Sequence, residues 1–174
     1  MKKIVFLIMI SIFSFSCAEL ELSDPVNQTS SSFWETEKAL YEGVMATYDR
    51  YQDFVIDNHR FYSALLSDEG TNEVPYEFYS VARFQLPENN WYFDQWLMYY
   101  EVIGRAYQVI ERAPQVEGSE VDRLTAEAKF LAGMAYYNLL VGFGEEIAYV
   151  DGIQSTERPR RAEPGELWDL TEQM

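Results

Sequence analysis

The sequence predicts an all-α fold with long loops, on two observations. Apolar residues recur at three- and four-residue spacings in long segments, and clusters of glycine, proline, serine and asparagine separate those segments. The first segment is 33–52, where Leu40, Val44, Tyr48 and Tyr51 make one apolar face, with Thr36 or Ser32 placed to cap its start. Residues 57–66 form a shorter helical stretch ending at Ser67-Asp68-Glu69-Gly70. Residues 67–90 hold Gly70, Pro75, Pro87 and Asn89-Asn90, and read as a long loop carrying Tyr76, Phe78, Tyr79 and Phe84. A second helix is predicted over 91–112, with Leu97, Tyr100, Ile103, Tyr107 and Ile110 on one face and Pro114 stopping it. A third covers 119–141. Its half from Phe130 to Tyr137 is apolar nearly all round, which predicts a central, buried helix, and Gly142 and Gly144 end it. Residues 151–165 form a loop with Pro159 and Pro164. A new helical pattern then starts at Glu166-Leu167-Trp168-Asp169-Leu170 and stops at Met174; it is expected to find little to pack against, so the chain reads as truncated.

Within the helices a repeat pattern emerges. A tetratricopeptide unit wants a large aromatic, an aliphatic three residues on, a small residue next, and a tyrosine three beyond that. Tyr100, Ile103, Gly104 and Tyr107 have this spacing, and Ala126, Phe130 and Gly133 fit the partner helix. Tyr41, Val44, Met45 and Tyr48 echo the first half, with methionine in place of the small residue. Small residues would let paired helices approach closely while aromatics fill the grooves between them. The fold class expected is therefore an α/α superhelix of tetratricopeptide-like repeats.

The N-terminus carries a different signal. Lys2 and Lys3 precede the continuous apolar run Ile4–Ile10, which Ile12, Phe13 and Phe15 extend. Such a run suits a signal peptide and is short for a membrane span, which needs about 20 apolar residues. Small residues, Ser14 and Ser16, stand at −3 and −1 relative to Cys17, the only cysteine in the chain, and this is the arrangement that lipidation requires. A lone cysteine also excludes any intrachain disulfide. The expected layout is a signal peptide over 1–16, a lipidated tether over 17–31 and a helical domain over 32–174. A thioether-linked diacylglycerol with an N-acyl chain such as palmitate on Cys17 would anchor the protein, each buried methylene contributing about 0.8 kcal/mol.

Charge narrows the partners. Loss of residues 1–16 removes two lysines and no acids, leaving 11 basic against 29 acidic residues, a net of −18. That body excludes nucleic acid, whose binding depends on Lys and Arg neutralising phosphates. It is also repelled by anionic lipid head groups, so the acyl chains alone hold the membrane. Thirteen tyrosines and four tryptophans require a core, a partner or a ligand that favours aromatic faces.

Taken in order, the segments resemble the N-terminal part of the SusD/RagB family of outer-membrane nutrient-binding lipoproteins. The resemblance runs from Cys17 through the acidic stretch to Pro25, then Phe33-Trp34, Glu37-Lys38-Ala39-Leu40, Tyr48 and Ser67-Asp68-Glu69. It continues through Trp96–Tyr100, Ile103, Arg105-Ala106 and Val109-Ile110. Its strongest part is Ala126-Glu127-Ala128-Lys129-Phe130-Leu131, followed by Tyr136-Tyr137, Leu139-Leu140-Val141 and Phe143-Gly144. Three departures stand out: Ala132-Gly133 where the family has arginine, Gly144-Glu145-Glu146-Ile147-Ala148 without the family's proline, and Tyr107 where asparagine is usual. Family members are several times longer.

The resemblance implies a binding protein on the cell surface that passes oligosaccharides to a SusC-like TonB-dependent transporter in the outer membrane. Glu19, Glu21 and Asp24 look like the surface-export signals of such lipoproteins. Sugar recognition would rest on aromatic faces against pyranose C–H surfaces, with carboxylates and guanidinium groups on the hydroxyls. Tyr76, Tyr79, Trp91 and Trp96 are then candidate platforms, and Asp68 and Arg83 candidate hydrogen-bonding partners. The competing reading packs Trp96 in the helix core, buries Trp91 under the loop, and makes Asp68-Glu69 a structural turn.

Enzymatic function is not expected, nor is any cofactor or metal. His59 is the only histidine, so no zinc pair of His-x-x-x-His type exists. Gly142-Phe143-Gly144 lacks the lysine and preceding strand of a phosphate loop, and adjacent Glu145-Glu146 do not converge on one substrate bond. The alternatives to glycan binding are a helical-repeat envelope lipoprotein that binds only other proteins, and a truncated copy without function.

Overall fold

Among the described residues three long helices pack side by side and a fourth, short one lies along the second half of the third. The computed structural model describes residues 33–54, 64–67, 69–71, 79–85, 91–153 and 158–174, without the side chains of 53, 54 and 91–93. Cys17, Asp68 and Tyr76 lie outside the described residues, as does the side chain of Trp91. Residues Trp34–Met174 form one compact unit, to which the following refers. Its helices are α1 (Glu37–Phe54), α2 (Trp91–Arg112), α3 (Val121–Phe143) and α4 (Glu166–Glu172), with 3-10 turns at Val81–Arg83 and Ala113–Gln115. No strand occurs among the described residues, so the all-α class holds; one isolated antiparallel bridge joins Ala148 to Arg161.

Helix α1 starts where a threonine can cap it. The Thr36 hydroxyl accepts the Ala39 N–H at 3.2 Å, and the Thr36 carbonyl receives the first helical bond, from Leu40 N. Leu40 and Val44 are fully buried, each contributing about 1.5–3 kcal/mol. The buried face continues through Gly43 and Thr47 rather than through Tyr48, which faces solvent and corrects the predicted stripe. Thr47 tolerates burial because its hydroxyl donates to the Gly43 carbonyl at 2.8 Å. Gly43 is where the Trp34 ring and α2 press on α1: a Cβ there would stand 2.7 Å from two Trp34 ring carbons and 2.9 Å from Val109 Cγ2.

Helix α2 occupies the bounds its periodicity predicts, and it lies between α1 and α3. One side, with Ala106 and Val109, and Ala113 of the 3-10 turn that follows, meets Leu40 and Val44 of α1 and Leu124 and Ala128 of α3. The other, with Met98, Val102 and Ile103, meets Leu131, Ala135 and Leu139 of α3. The start of α2 therefore packs on the end of α3, and successive helices run antiparallel. Two buried sides leave a single face open, and Leu97 is on it, 46% exposed instead of in the core.

Helix α3 is only half enclosed. Leu124, Ala128, Leu131, Ala132, Ala135, Tyr136, Leu139 and Leu140 are buried, whereas Phe130 is 60% and Val141 65% exposed and Tyr137 faces solvent beside them. The expectation of a helix buried all round thus fails, because α1, α2 and the short α4, whose Trp168 meets Tyr137 edge-to-face, leave part of α3 open. Gly144, with φ +87°, ends the helix and donates to Leu140 O at 3.0 Å; Gly142 lies within the helix. Of the residues in the repeat pattern, Ile103 and Tyr107 are buried and Gly133 faces α4, whereas Ala126 and Phe130 are exposed and a Cβ at Gly104 would meet nothing within 4 Å. Gly104 is therefore no close-approach residue.

After Gly144 the chain folds back as a strap over α2 and α3. Tyr149 N donates to Arg160 O at 2.9 Å and Ala162 N to Ile147 O at 2.8 Å. Two tyrosine hydroxyls bind it down: Tyr100 donates to Ala148 O at 2.7 Å, and Tyr136 to Val150 O. Arg160 stacks on the Tyr149 ring, 4.1 Å from its centroid, and grips the Glu166 carboxylate with two nitrogens. That grip, with the Glu163 N–H, lowers the Glu166 carboxyl to about 2. Glu145 accepts from Gly165 N and Trp168 Nε1, each at 3.1 Å, and so fixes the start of α4. Leu167 of α4 is fully buried in the core that α2 and α3 share. The C-terminal helix has a core to pack on, which corrects the expectation that it would find little.

In the segment predicted as an unstructured loop, Val81 opens a 3-10 turn and is buried against Leu65. Phe84 closes that turn in the left-handed region, with φ +56°, and its side chain is exposed.

Candidate functional site

The predicted binding residues that are described fall in two places. Tyr79 and Arg83 meet at the 3-10 turn, where the Arg83 guanidinium lies 3.6 Å from the centroid of the half-buried Tyr79 ring. The turn brings them together, since four residues in this geometry bring the ends onto one side. One face of Tyr79 is therefore covered by a cation, leaving at most the other for a ligand.

Trp96 is elsewhere, on α2. It is half-buried, its ring 5.1 Å from Tyr100 in a tilted contact and 5.1 Å from Phe143 edge-to-face. Trp96 packs in an aromatic cluster and also borders open space. That space is a groove of about 620 Å³, within the size range of small-molecule sites. Its floor is the open face of α2, where Leu97, Glu101, Gly104 and Gln108 recur at spacings of four, three and four. Its far wall is the strap, through Ala148, Val150, Gly152, Ile153 and Pro159.

The polar groups of the groove are mostly engaged. Glu101 pairs with Arg50 of α1, and Arg105 donates to Ala46 O at 2.7 Å. Tyr100 keeps its proton far above the ordinary tyrosine range, chiefly because burial disfavours the phenolate. It cannot serve as a base. Gln108 has no hydrogen-bond partner among the described residues, so its amide can offer both a donor and an acceptor to a ligand. Gly152 N and its neighbours are held near α2 because Ile153 N donates to Glu111; a Cβ at Gly152 would fall 2.6 Å from Glu111 Oε1.

Sequence reasoning named Trp96 and did not name Gln108, Ile153 or Pro159, which line the same groove. The Leu97–Gln108 spacing is visible in the sequence as a helix face, but nothing local marks that face as uncovered. Among the described residues no group of three or more His, Cys, Asp or Glu is placed to hold a metal ion, and no helix is long and apolar enough to cross a membrane. Compared with known proteins, the chain matches no protein-family model, no curated protein and no solved structure.

Proposed function

We propose that this chain is a lipid-anchored, outward-facing outer-membrane protein that binds glycans or related nutrients and works with a SusC-like TonB-dependent transporter. The observation that carries the reading is the open groove beside Trp96, where an aromatic edge, aliphatic walls and hydrogen-bonding side chains adjoin. Saccharides need that combination, because a pyranose presents C–H faces and hydroxyl edges together. The ordered resemblance to SusD/RagB proteins after Cys17 supports the anchor and the transporter link. We read the antiparallel succession α1–α2–α3 as the start of a tetratricopeptide-like superhelix, its domain bounds 32–174 and its anchor at Cys17.

The test has three parts. Titration calorimetry of the full chain against a panel of oligosaccharides should give heat with at least one of them. Detergent extracts of outer membranes should yield the protein together with a TonB-dependent barrel. Labelled palmitate should enter the wild type and not Cys17→Ser. No heat with any sugar and no barrel would sink the proposal.

A second reading, protein–protein interaction alone, draws on α3. Phe130, Tyr137 and Val141 make an apolar stripe that stays half or more exposed although α4 packs beside it at Gly133 and Tyr137. A stable complex with an envelope protein, lost in Phe130→Ser and retained when the Trp96 groove is blocked, would favour it.

A further inference from the structure

Gly104 sits in the middle of a 22-residue helix, where glycine is less stable than alanine because it has more backbone freedom to lose. Packing does not explain it. At Gly43 a Cβ would strike Trp34 and Val109; at Gly104 a Cβ would meet nothing within 4 Å. The empty space above it is the groove. Gly104 therefore leaves bare helix backbone as the floor of an open trough, at a cost in helix stability and with no neighbour that demands it.

What surrounds that bare patch has a definite chemistry. Two turns before Gly104 on the same face stands exposed Leu97, and Ile153 and Pro159 line the groove from the strap, so the flanks are aliphatic. One turn after it stands Gln108, with a free amide. The charged groups on the floor are engaged, since Glu101 is paired with Arg50 and Arg105 donates to the Ala46 carbonyl. A chain of formal net charge −16 also repels anions. The trough thus suits a flat, uncharged ligand with apolar faces and hydroxyl edges, and a purely apolar ligand would leave the Gln108 amide unpaired.

We infer that the trough over Gly104 is the saccharide subsite, taking a short neutral pyranoside segment that lies on the bare backbone between Leu97 and Ile153 with hydroxyls on the Gln108 amide. The inference rests on the glycan-binding reading above and moves the site from the Tyr76–Trp91 loop to the middle of α2.

The experiment uses the full chain in a detergent without a sugar head group, titrated with maltoheptaose, laminarihexaose, xylohexaose, mannohexaose and, as an anionic comparison, a galacturonic acid oligomer. Gly104→Leu should weaken binding of the neutral ligand more than tenfold by filling the trough, and Gly104→Ala should weaken it less. Gln108→Ala should weaken it about three- to tenfold, the worth of one neutral hydrogen bond. Circular dichroism should show unchanged helix content and a raised Tm for Gly104→Ala; if Gly104→Leu fails to fold, Gly104→Ala and Gln108→Ala decide. Wild-type binding that none of these substitutions changes overturns the subsite and leaves the glycan reading standing. Binding of the galacturonic acid oligomer alone overturns the neutral class. No binding of any probe by the wild type overturns both.

Discussion

The guanidinium of Arg83 caps the ring of Tyr79 at 3.6 Å, so two residues chosen separately as ligand contacts are partners of each other. A cation over an aromatic face at an exposed site contributes about 0.5–1 kcal/mol. Tyr79→Phe, which keeps the ring, should leave stability within about 0.5 kcal/mol of wild type, since such surface changes are small. Tyr79→Leu and Arg83→Gln should each lose stability, and the double variant should lose less than their sum. Urea denaturation of the four proteins measures the coupling, and strict additivity would refute the pairing.

Glu37 caps a helix it does not belong to. Its carboxylate accepts the Glu120 N–H at 2.9 Å at the start of α3, and a Cβ at Gly118 would come within 1.9 Å of the same oxygen. Gly118→Ala must push the carboxylate away. The expected loss is about 0.5–2 kcal/mol, the worth of an N-cap. Glu37→Ala should cost a similar amount, and Gly118→Ala made in that background should add little. Thermal melts of the three variants check this; full additivity would show that Gly118 acts through something other than Glu37.

Leu167 is the residue that seats α4. Fully buried among residues of α2 and α3, it should cost about 2–5 kcal/mol on substitution with alanine, whereas Phe130→Ser on the uncovered face of α3 should cost less than about 0.5 kcal/mol. Guanidinium denaturation separates the two. Equal losses would mean that α3 is enclosed on both sides after all.

Tyrosine ionisation gives the fold an alkaline limit. Burial raises Tyr99, Tyr100, Tyr107 and Tyr136 far above the ordinary value of 10, so the folded protein keeps these four protonated. The unfolded chain ionises them near 10. Their contribution is complete below that pH and is lost as pH rises beyond it, because deprotonation then favours the unfolded state. The near-UV phenolate absorbance should show at least four of the 13 tyrosines silent in the folded protein and appearing together at alkaline unfolding. Smooth titration of all 13 with the helices intact would contradict this.

Much of the helical layout was legible because it depends on near neighbours in the chain. The bounds of α2, the Thr36 cap and the Gly144 stop all follow from residues within about one turn of the feature they set. The stripes were less legible, since periodicity marks an apolar face but not which faces meet a neighbour. Leu97, Tyr48 and Phe130 show the difference: each belongs to an apolar pattern, and each is left exposed by its neighbours. Of the predicted site, Trp96 borders the groove, Tyr79 and Arg83 engage each other, and Cys17, Asp68, Tyr76 and the Trp91 side chain fall outside the described residues.

Sequence alone determined that the chain is helical, where its long helices run, and that a signal-like segment leads to a single cysteine, because spacing, capping and composition are local properties. Tertiary structure decided the rest. The strap, described over 147–153 and 158–162, is held by hydroxyls of Tyr100 and Tyr136, one of them 48 residues distant from its acceptor. The groove exists only because that strap stands off from α2 above Gly104. A glycine that the repeat pattern marks for close packing thus faces an open trough, since bonds between residues far apart in sequence set what lies opposite it.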